Sequence, residues 1–380
     1  MQQLTLRQHF VRCAQLQPLA HIPVLEGWPV MKNFLRASLP LAAVLATPTL
    51  AADAPGLLYR ERSVVTLPST DTYWDYIKFE PGTSRLFMAR VADGLTVYDV
   101  DKQQAVATVE NSIGANGPLL LPQFNRGYVA MTDGSLLSFE LNSLKVLARQ
   151  PLADGIGLNS GILDPATRRI HFITGTGEKE STWFTLDTAT GRLLGKTVFP
   201  FRKMDDPATD GKGNIFAPAR LDDIVLKLDS KTLKEQARWP IGCNVSKVRY
   251  QASTGRIIGA CLGNKPMVFA LNPETGTVTA RVPIGGGLDG LAIDEKHKRI
   301  ISSNGADGTL SVIAQDGPDA FRLLGLINTR VGSRMMDIDQ RTGNLYVVNA
   351  DSTQVPEAGT GKLTRTYHPD SFKVHMLVPE

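Results

Sequence analysis

The chain has 380 residues, is 42% hydrophobic and 21% charged, and carries a formal net charge of +4. That length exceeds one small core, and that composition excludes a disordered chain as the default. Four of the basic residues (Arg7, Arg12, Lys32, Arg36) and one acid (Glu26) fall in residues 1–51, so the remainder holds 37 basic and 36 acidic residues, a net +1, which removes any compositional argument for a nucleic-acid or anionic-membrane partner.

From Met31 the text reads "MKNFLRASLPLAAVLATPTLAADAPG". Lys32 and Arg36 form a positive start, Leu39 to Leu45 an apolar centre, and Thr49-Leu50-Ala51 a small-x-small cleavage site. This pattern predicts a secretory signal peptide cut after Ala51, with residues 1–30 an over-extended start. It therefore predicts an exported protein, periplasmic or secreted. The apolar run is too short to span a bilayer, and no later stretch reaches the length needed for a transmembrane helix. No membrane span is expected in the mature chain, 52–380.

Seven short strands follow at a regular interval. "RLFMAR", "RGYVAM", "RIHFIT", "NIFAPA", "RIIGAC", "RIISSN" and "NLYVVN" begin at Arg85, Arg126, Arg169, Asn214, Arg256, Arg299 and Asn344, spaced 41 to 45 residues apart. That is the period of a four-stranded propeller blade. The turns repeat too. "EPGTSR", "DPATRR", "DGKGN", "QASTGR", "DEKHKR" and "DQRTGN" each open on an acidic or amide residue that can bond its own backbone two residues on. A second turn type, "LDTATGR", "LDSKTLK" and "LNPETGT", predicts hairpins between third and fourth strands.

Seven repeats fit, starting near Thr72, Ala115, Leu158, Lys203, Val245, Leu288 and Ser333. The last holds only three strands before the chain ends at "FKVHMLVPE". The N-terminal "YRERSVVTLP" (59–68) resembles fourth strands elsewhere, so it is expected to complete the last blade. The predicted fold is all-β: a seven-bladed β-propeller of four-stranded blades. The segment 352–371 reads as a long irregular insert in blade seven. "GGGLDG" (285–290) lacks the Gly-Lys-Ser/Thr of a phosphate loop and reads as a tight entry between blades.

The repeats, notably "LAIDEKHKRIISSNGADGTLSVI", "FALNPETGTVTARVPIG" and "MDIDQRTGNLYVVNAD", resemble the YncE/YVTN-type seven-bladed propeller family over residues 57–380. The resemblance implies an exported, usually periplasmic protein with a binding or accessory role and no shared catalytic motif. Blades two, three and four lack the family's glycine-rich strand entry, so no functional residue is carried over.

Counting five residues back from each turn-opening residue gives the blade-entry position: Asp75, Asn116, Asn159, Asp205, Ser246, Asp289 and Arg334. In a propeller these surround the channel mouth, where such a ring suits a small polar ligand or a cation. It equally suits side chains that cap loop amides. The ends of the second strands lie on the same face and contribute Arg90, Met131, Thr174, Ala219, Cys261, Asn304 and Asn349; of these Arg90 and Asn304 join the candidate ligand residues. Arg202, Lys203, Arg220, Lys247, Lys265 and Arg334 suggest a partly basic face. Tyr73, Trp74 and Tyr76 suggest either stacking on single-stranded bases or packing between blades, and nucleic acid is not the expected partner. Cys243 and Cys261 fall on the entry face of blade five, and a structural disulfide is expected.

Catalytic signatures do not accumulate. No Gly-x-Ser-x-Gly elbow, His-Glu-x-x-His or Cys-x-x-Cys-His occurs. His171, His297, His368 and His375 share no blade position, which argues against a histidine-built metal centre, and His297 is expected in an exposed turn. The expectation is a monomeric binding or scaffold protein with no cofactor, no metal and no assigned catalytic residue. Its partner is an unidentified small molecule or a periplasmic protein. The rival reading is a metal-assisted lyase or lactonase, which needs Asp75, Asp205 and Asp289 on one ion.

Overall fold

The computed structural model describes residues 58–380. The signal peptide and cleavage site expected within residues 31–51 lie outside the described residues, as does Cys13.

Seven four-stranded antiparallel sheets are arranged as the blades of a β-propeller. The innermost strands are Trp74–Phe79, Ala115–Leu121, Leu158–Asp164, Ala208–Thr209, Asn244–Gln251, Leu288–Asp294 and Met335–Asp339. Second strands such as Arg85–Arg90 and Arg299–Asn304 are buried along nearly their whole length. Each lies between two neighbouring blades, so both its faces need apolar side chains; this explains their continuous apolar runs in place of alternation. Outer strands such as Gln104–Thr108 and Val146–Pro151 are mostly exposed and correspondingly polar.

The core is divided in the same way. Phe87, Val97, Val129 and Phe139 pack blade one on blade two; Ile258, Val268, Leu291 and Ile300 pack blade five on blade six. Every other blade junction carries its own apolar slab. Stability is therefore distributed around the ring, and the ring must close. Closure is achieved by Tyr59–Leu67, which pairs antiparallel with Phe372–Pro379 at the outer edge of blade seven. Tyr59 also donates from its hydroxyl to Asp294 of blade six at 2.7 Å. The expected N-terminal strand is thus in place.

The segment 352–371 is not irregular. Ser352–Pro356 and Leu363–Tyr367 form an exposed two-stranded hairpin. Its base is tied to blade one: Tyr367 N–H donates to Asp71 at 2.8 Å, and its ring lies 5.0 Å from Trp74. The glycine run before blade six acts as a steric requirement. Gly287 sits at φ +77°, and a Cβ there would meet the Ala306 backbone nitrogen at 2.4 Å. Gly286 N–H donates to Asp307 at 2.7 Å, so this run closes onto the following loop. His297 is half-buried, not exposed, because its Nδ1 lies 2.7 Å from the buried Asp294 carboxylate.

Candidate functional site

The entry positions are set by a recurring irregularity of the innermost strands. In blade one Trp74 pairs Arg90 and Ile77 pairs Met88, so Asp75 and Tyr76 together face Ala89. Asn116, Ser246 and Asp289 are single extra residues at the same place in blades two, five and six, and Asn159 lies in a similar bulge with Ser160. A β-bulge releases a side chain from strict up-down alternation and re-aims it. In blade four Pro207 supplies no N–H and the regular strand is only Ala208–Thr209; Asp205 and Asp206 precede it, with Asp206 bridged to Lys247 of blade five.

These residues differ in how fully they are partnered. Asp205 is buried and saturated. Its Oδ1 accepts from Asn159 Nδ2 at 3.0 Å; its Oδ2 accepts from Arg220 at 3.1 Å and Ser246 at 3.2 Å; Lys203 is 3.9 Å away. Asn116 donates to the Leu158 carbonyl at 3.1 Å and so joins blades two and three. Asp289 lies between two cations, Arg334 at 3.4 Å and Lys247 at 3.9 Å. Arg334 also donates to the Trp74 carbonyl and stacks on Tyr73 at 4.2 Å.

Asp75 stands apart. Among the described residues its carboxylate has no hydrogen-bond or ion-pair partner within normal reach. Burial raises its pKa, the Asp289 and Asp205 carboxylates add to that, and Arg334 and Lys247 pull it back, leaving it at about 7. The entry mouth therefore presents one half-buried carboxyl group poised between its two charge states, beside an Asp289–Arg334–Lys247 chain of opposite charges.

One residue further along the strands, Asp206 accepts from Arg249 at 2.6 Å and lies 4.0 Å from Lys247. Burial opposes its charge, but Arg249, Lys78 and Lys247 outweigh burial and hold its pKa at about 2. Lys78, Arg249 and Asp337 share one position, three residues past the entry ring, in blades one, five and seven. The same repeat frame that marks the ring therefore marks all three, three positions on.

Two proposed ligand residues serve the scaffold. Arg90 is buried and donates to the Pro68 carbonyl and to Asp93, both at 2.6 Å, while lying 4.7 Å from the Phe372 ring. Asn304 is fully buried and bonds Ser311 at 2.9 Å and Thr309 at 3.1 Å within blade six. The expected basic face is locally neutralised, since Lys203, Arg220, Lys247 and Arg334 all lie against Asp205, Asp206 or Asp289. Of the aromatic trio, Trp74 and Tyr76 are buried and only Tyr73 is exposed; Trp74 packs on Tyr367 and Phe372, so packing between blades prevails. Cys243 and Cys261 are joined as a disulfide with Cα atoms 5.8 Å apart. No group of three His, Cys, Asp or Glu side chains suited to a metal ion occurs among the described residues. None of their helices is long and apolar enough to cross a membrane.

Comparison with known proteins bears on the fold alone. No protein-family profile matches the chain, and no curated protein sequence matches it significantly. Solved structures match in large number, 1784 chains, as expected for a widely reused scaffold that does not specify function. A chain of a mitotic checkpoint complex crystal structure aligns with TM-score 0.64 at 13% identity, covering 87% of this chain and 99% of that one. The β-propeller domain of Cps50 (Swd1) from Myceliophteria thermophila aligns with TM-score 0.65 at 9% identity, covering 85% and 100%. By sequence reading and by structure, the described chain is a seven-bladed β-propeller.

Proposed function

We propose that this protein is an exported propeller of the YncE/YVTN type that binds a small polar organic molecule at the entry mouth of its channel. The observation that carries this reading is the unpartnered Asp75 carboxyl group within a ring whose other charges are paired. A half-buried acid lacking a donor is costly, and a ligand amine or hydroxyl would supply that donor. Asp289, Arg334 and Lys247 offer both signs of charge within the same mouth, which favours a ligand bearing a donor and an acceptor over a bare ion. Export is supported by the residue pattern at 31–51 and by the Cys243–Cys261 disulfide, which suits an oxidising compartment. The mature protein is expected to begin at Ala52, which N-terminal sequencing of the exported form checks.

The test is a thermal-shift panel of amino sugars, amino acids, polyols and simple amines. A ligand at a hundred times its dissociation constant adds about 2.7 kcal/mol, a shift of a few degrees. The account expects a hit that is lost in Asp75→Asn. A panel without hits, or a hit that survives Asp75→Asn, contradicts it. The same carboxyl supports a second reading, in which Asp75 acts as a general acid–base group at neutral pH. Turnover of a bound hit, absent in Asp75→Asn, would select that reading.

A further inference from the structure

Deeper in the channel than Asp75, towards the end opposite the entry loops, lies a cavity of about 240 Å³. Its two sides differ in kind. Blades two and three contribute Pro118, Leu119, Leu120, Ile162 and Leu163. Blades one, four and five contribute the charged Lys78, Asp206 and Arg249, together with Tyr76, Phe79 and Pro81 of blade one. Ser160 is the one polar side chain on the side of blades two and three, and a water-filled channel needs no such concentration of apolar side chains on one side, so it calls for an explanation.

The charges on the opposite side are unequal in their satisfaction. Asp206 and Arg249 are joined at 2.6 Å. Asp337, close by in blade seven, accepts from the backbone N–H groups of Phe79 at 2.8 Å and Ile338 at 3.0 Å. Lys78 is different: among the described residues its ammonium makes no hydrogen bond and no ion pair, and it lies 5.8 Å from the centre of the Tyr76 ring. Burial lowers its pKa, Arg249 adds to that, and Asp206 and Asp337 oppose it, which is the signature of a desolvated cation without a close anion.

We propose that this cavity binds a small amphipathic carboxylate, with the carboxylate on Lys78 and an apolar body against Leu119, Leu120 and Ile162. The site is distinct from the Asp75 mouth and does not depend on that reading. A volume of about 240 Å³ admits a short-chain or single-ring acid such as hexanoate or benzoate. An anion supplies the partner that Lys78 lacks. A tail covers apolar surface that otherwise faces water. The Asp206 charge does not repel the ligand strongly, because Arg249 already neutralises it at contact distance.

The test is calorimetric titration of the purified protein with benzoate and hexanoate, using acetate, hexanol and hexylamine as controls. Expected is saturable binding of both acids with a dissociation constant near or below about 1 mM, and no saturation with acetate or hexanol. Lys78→Met should weaken binding of the acids at least about tenfold, while Asp75→Asn leaves it unchanged. Because Lys78→Met could perturb the fold, its melting curve is compared with that of the unsubstituted protein. In the unsubstituted protein, benzoate should shift the Lys78 side-chain NMR resonances through its ring current. Saturable hexylamine binding in place of the acids, acid binding that Lys78→Met leaves intact, or an absence of any Lys78 resonance shift at saturating benzoate would each overturn the proposal.

Discussion

The two levels of the central channel use charge in opposite ways. At the mouth, the Asp205 and Asp289 carboxylates are surrounded by cations or amides, and an acid, Asp75, is the group left without a partner. Further in, Asp206, one residue past the ring, is taken up by Arg249, and Asp337, three residues past it, by backbone amides, while a cation, Lys78, is left over. Both levels come from the same repeat positions in different blades. The scaffold fixes where a side chain points, and the identity of one residue per blade decides which sign remains unsatisfied. A sevenfold frame with unequal residues thus produces two chemically distinct receptive groups in one channel.

The largest effect should come from breaking the inner level. Removing Arg249 takes away the only contact-distance partner of the buried Asp206 and leaves it Lys247 at 4.0 Å, so Arg249→Met should destabilise by about 3 kcal/mol. Pairing it with Asp206→Leu should recover much of that loss, and urea denaturation of the single and double variants measures both. If Arg249→Met is neutral, the inner pair is solvated and the contrast with the mouth collapses.

The disulfide comes next. It links Cys243 and Cys261 across a separation of 18 residues at the entry side of blade five. Closing a loop of that size stabilises by about 3 kcal/mol in the chain-entropy account. The Cys243→Ala/Cys261→Ala variant should melt earlier by several degrees under identical conditions. Blade five carries Ser246 and Lys247, so a variant that keeps its melting point would show that the blade-five entry needs no such clamp.

A smaller effect separates the mouth by its pH dependence. Asp75 titrates at about 7 in the folded protein, above its ordinary value of 3.8. The folded state therefore holds a proton that the unfolded state has released between roughly pH 4 and 7. The stability linked to Asp75 is fully present below pH 4 and is lost as pH rises through 7. Replacing it with a permanently neutral amide removes this loss. Asp75→Asn should match the unsubstituted protein at pH 4 and exceed it at pH 8 by on the order of 1 kcal/mol, after discounting for water at the mouth. Binding of an amine ligand should follow the opposite course, strengthening from pH 6 to pH 8 as the carboxylate ionises.

The smallest predicted effect concerns Lys78. Lys78→Met should change stability by less than about 1 kcal/mol, because no close ion pair or hydrogen bond is broken and the ammonium's contact with the Tyr76 ring is a distant 5.8 Å. A loss comparable with that of Arg249→Met would place Lys78 in the structural network and remove the distinction between the two levels.

Much of this architecture was legible in the sequence, for a physical reason. Propeller turns demand acidic, amide and glycine residues at fixed offsets, so "DPATRR" or "DQRTGN" mark blade frames even where strand sequences diverge. The same frame located Asp75, Asp205, Asp289 and Arg334. It also named Arg90 and Asn304, but position alone does not show whether a polar side chain finds its partners within the scaffold, as Asn304 does inside blade six and Arg90 at the seam of blades one and seven. Lys78, Arg249 and Asp337 were passed over because "WDYIKF", "VSKVRY" and "MMDID" read as ordinary strands with a polar face. That the polar face lines a channel with an apolar opposite wall depends on Pro118, Leu119 and Ile162 in other blades. The hairpin at 352–367 is not legible in the sequence because its strands, "STQVP" and "LTRTY", are exposed at every residue but Tyr367 and lack apolar alternation.

The central claim is that Asp75 lacks a partner and therefore stays protonated well above the ordinary carboxylate range. The most direct measurement is a pH titration of the Asp75 side-chain carboxyl carbon by NMR, in the unsubstituted protein and in Asp289→Asn. The account predicts a midpoint near 7, falling clearly when the neighbouring Asp289 charge is removed. A midpoint near the ordinary 3.8, unmoved by Asp289→Asn, would contradict it and leave the entry mouth as a paired and satisfied rim.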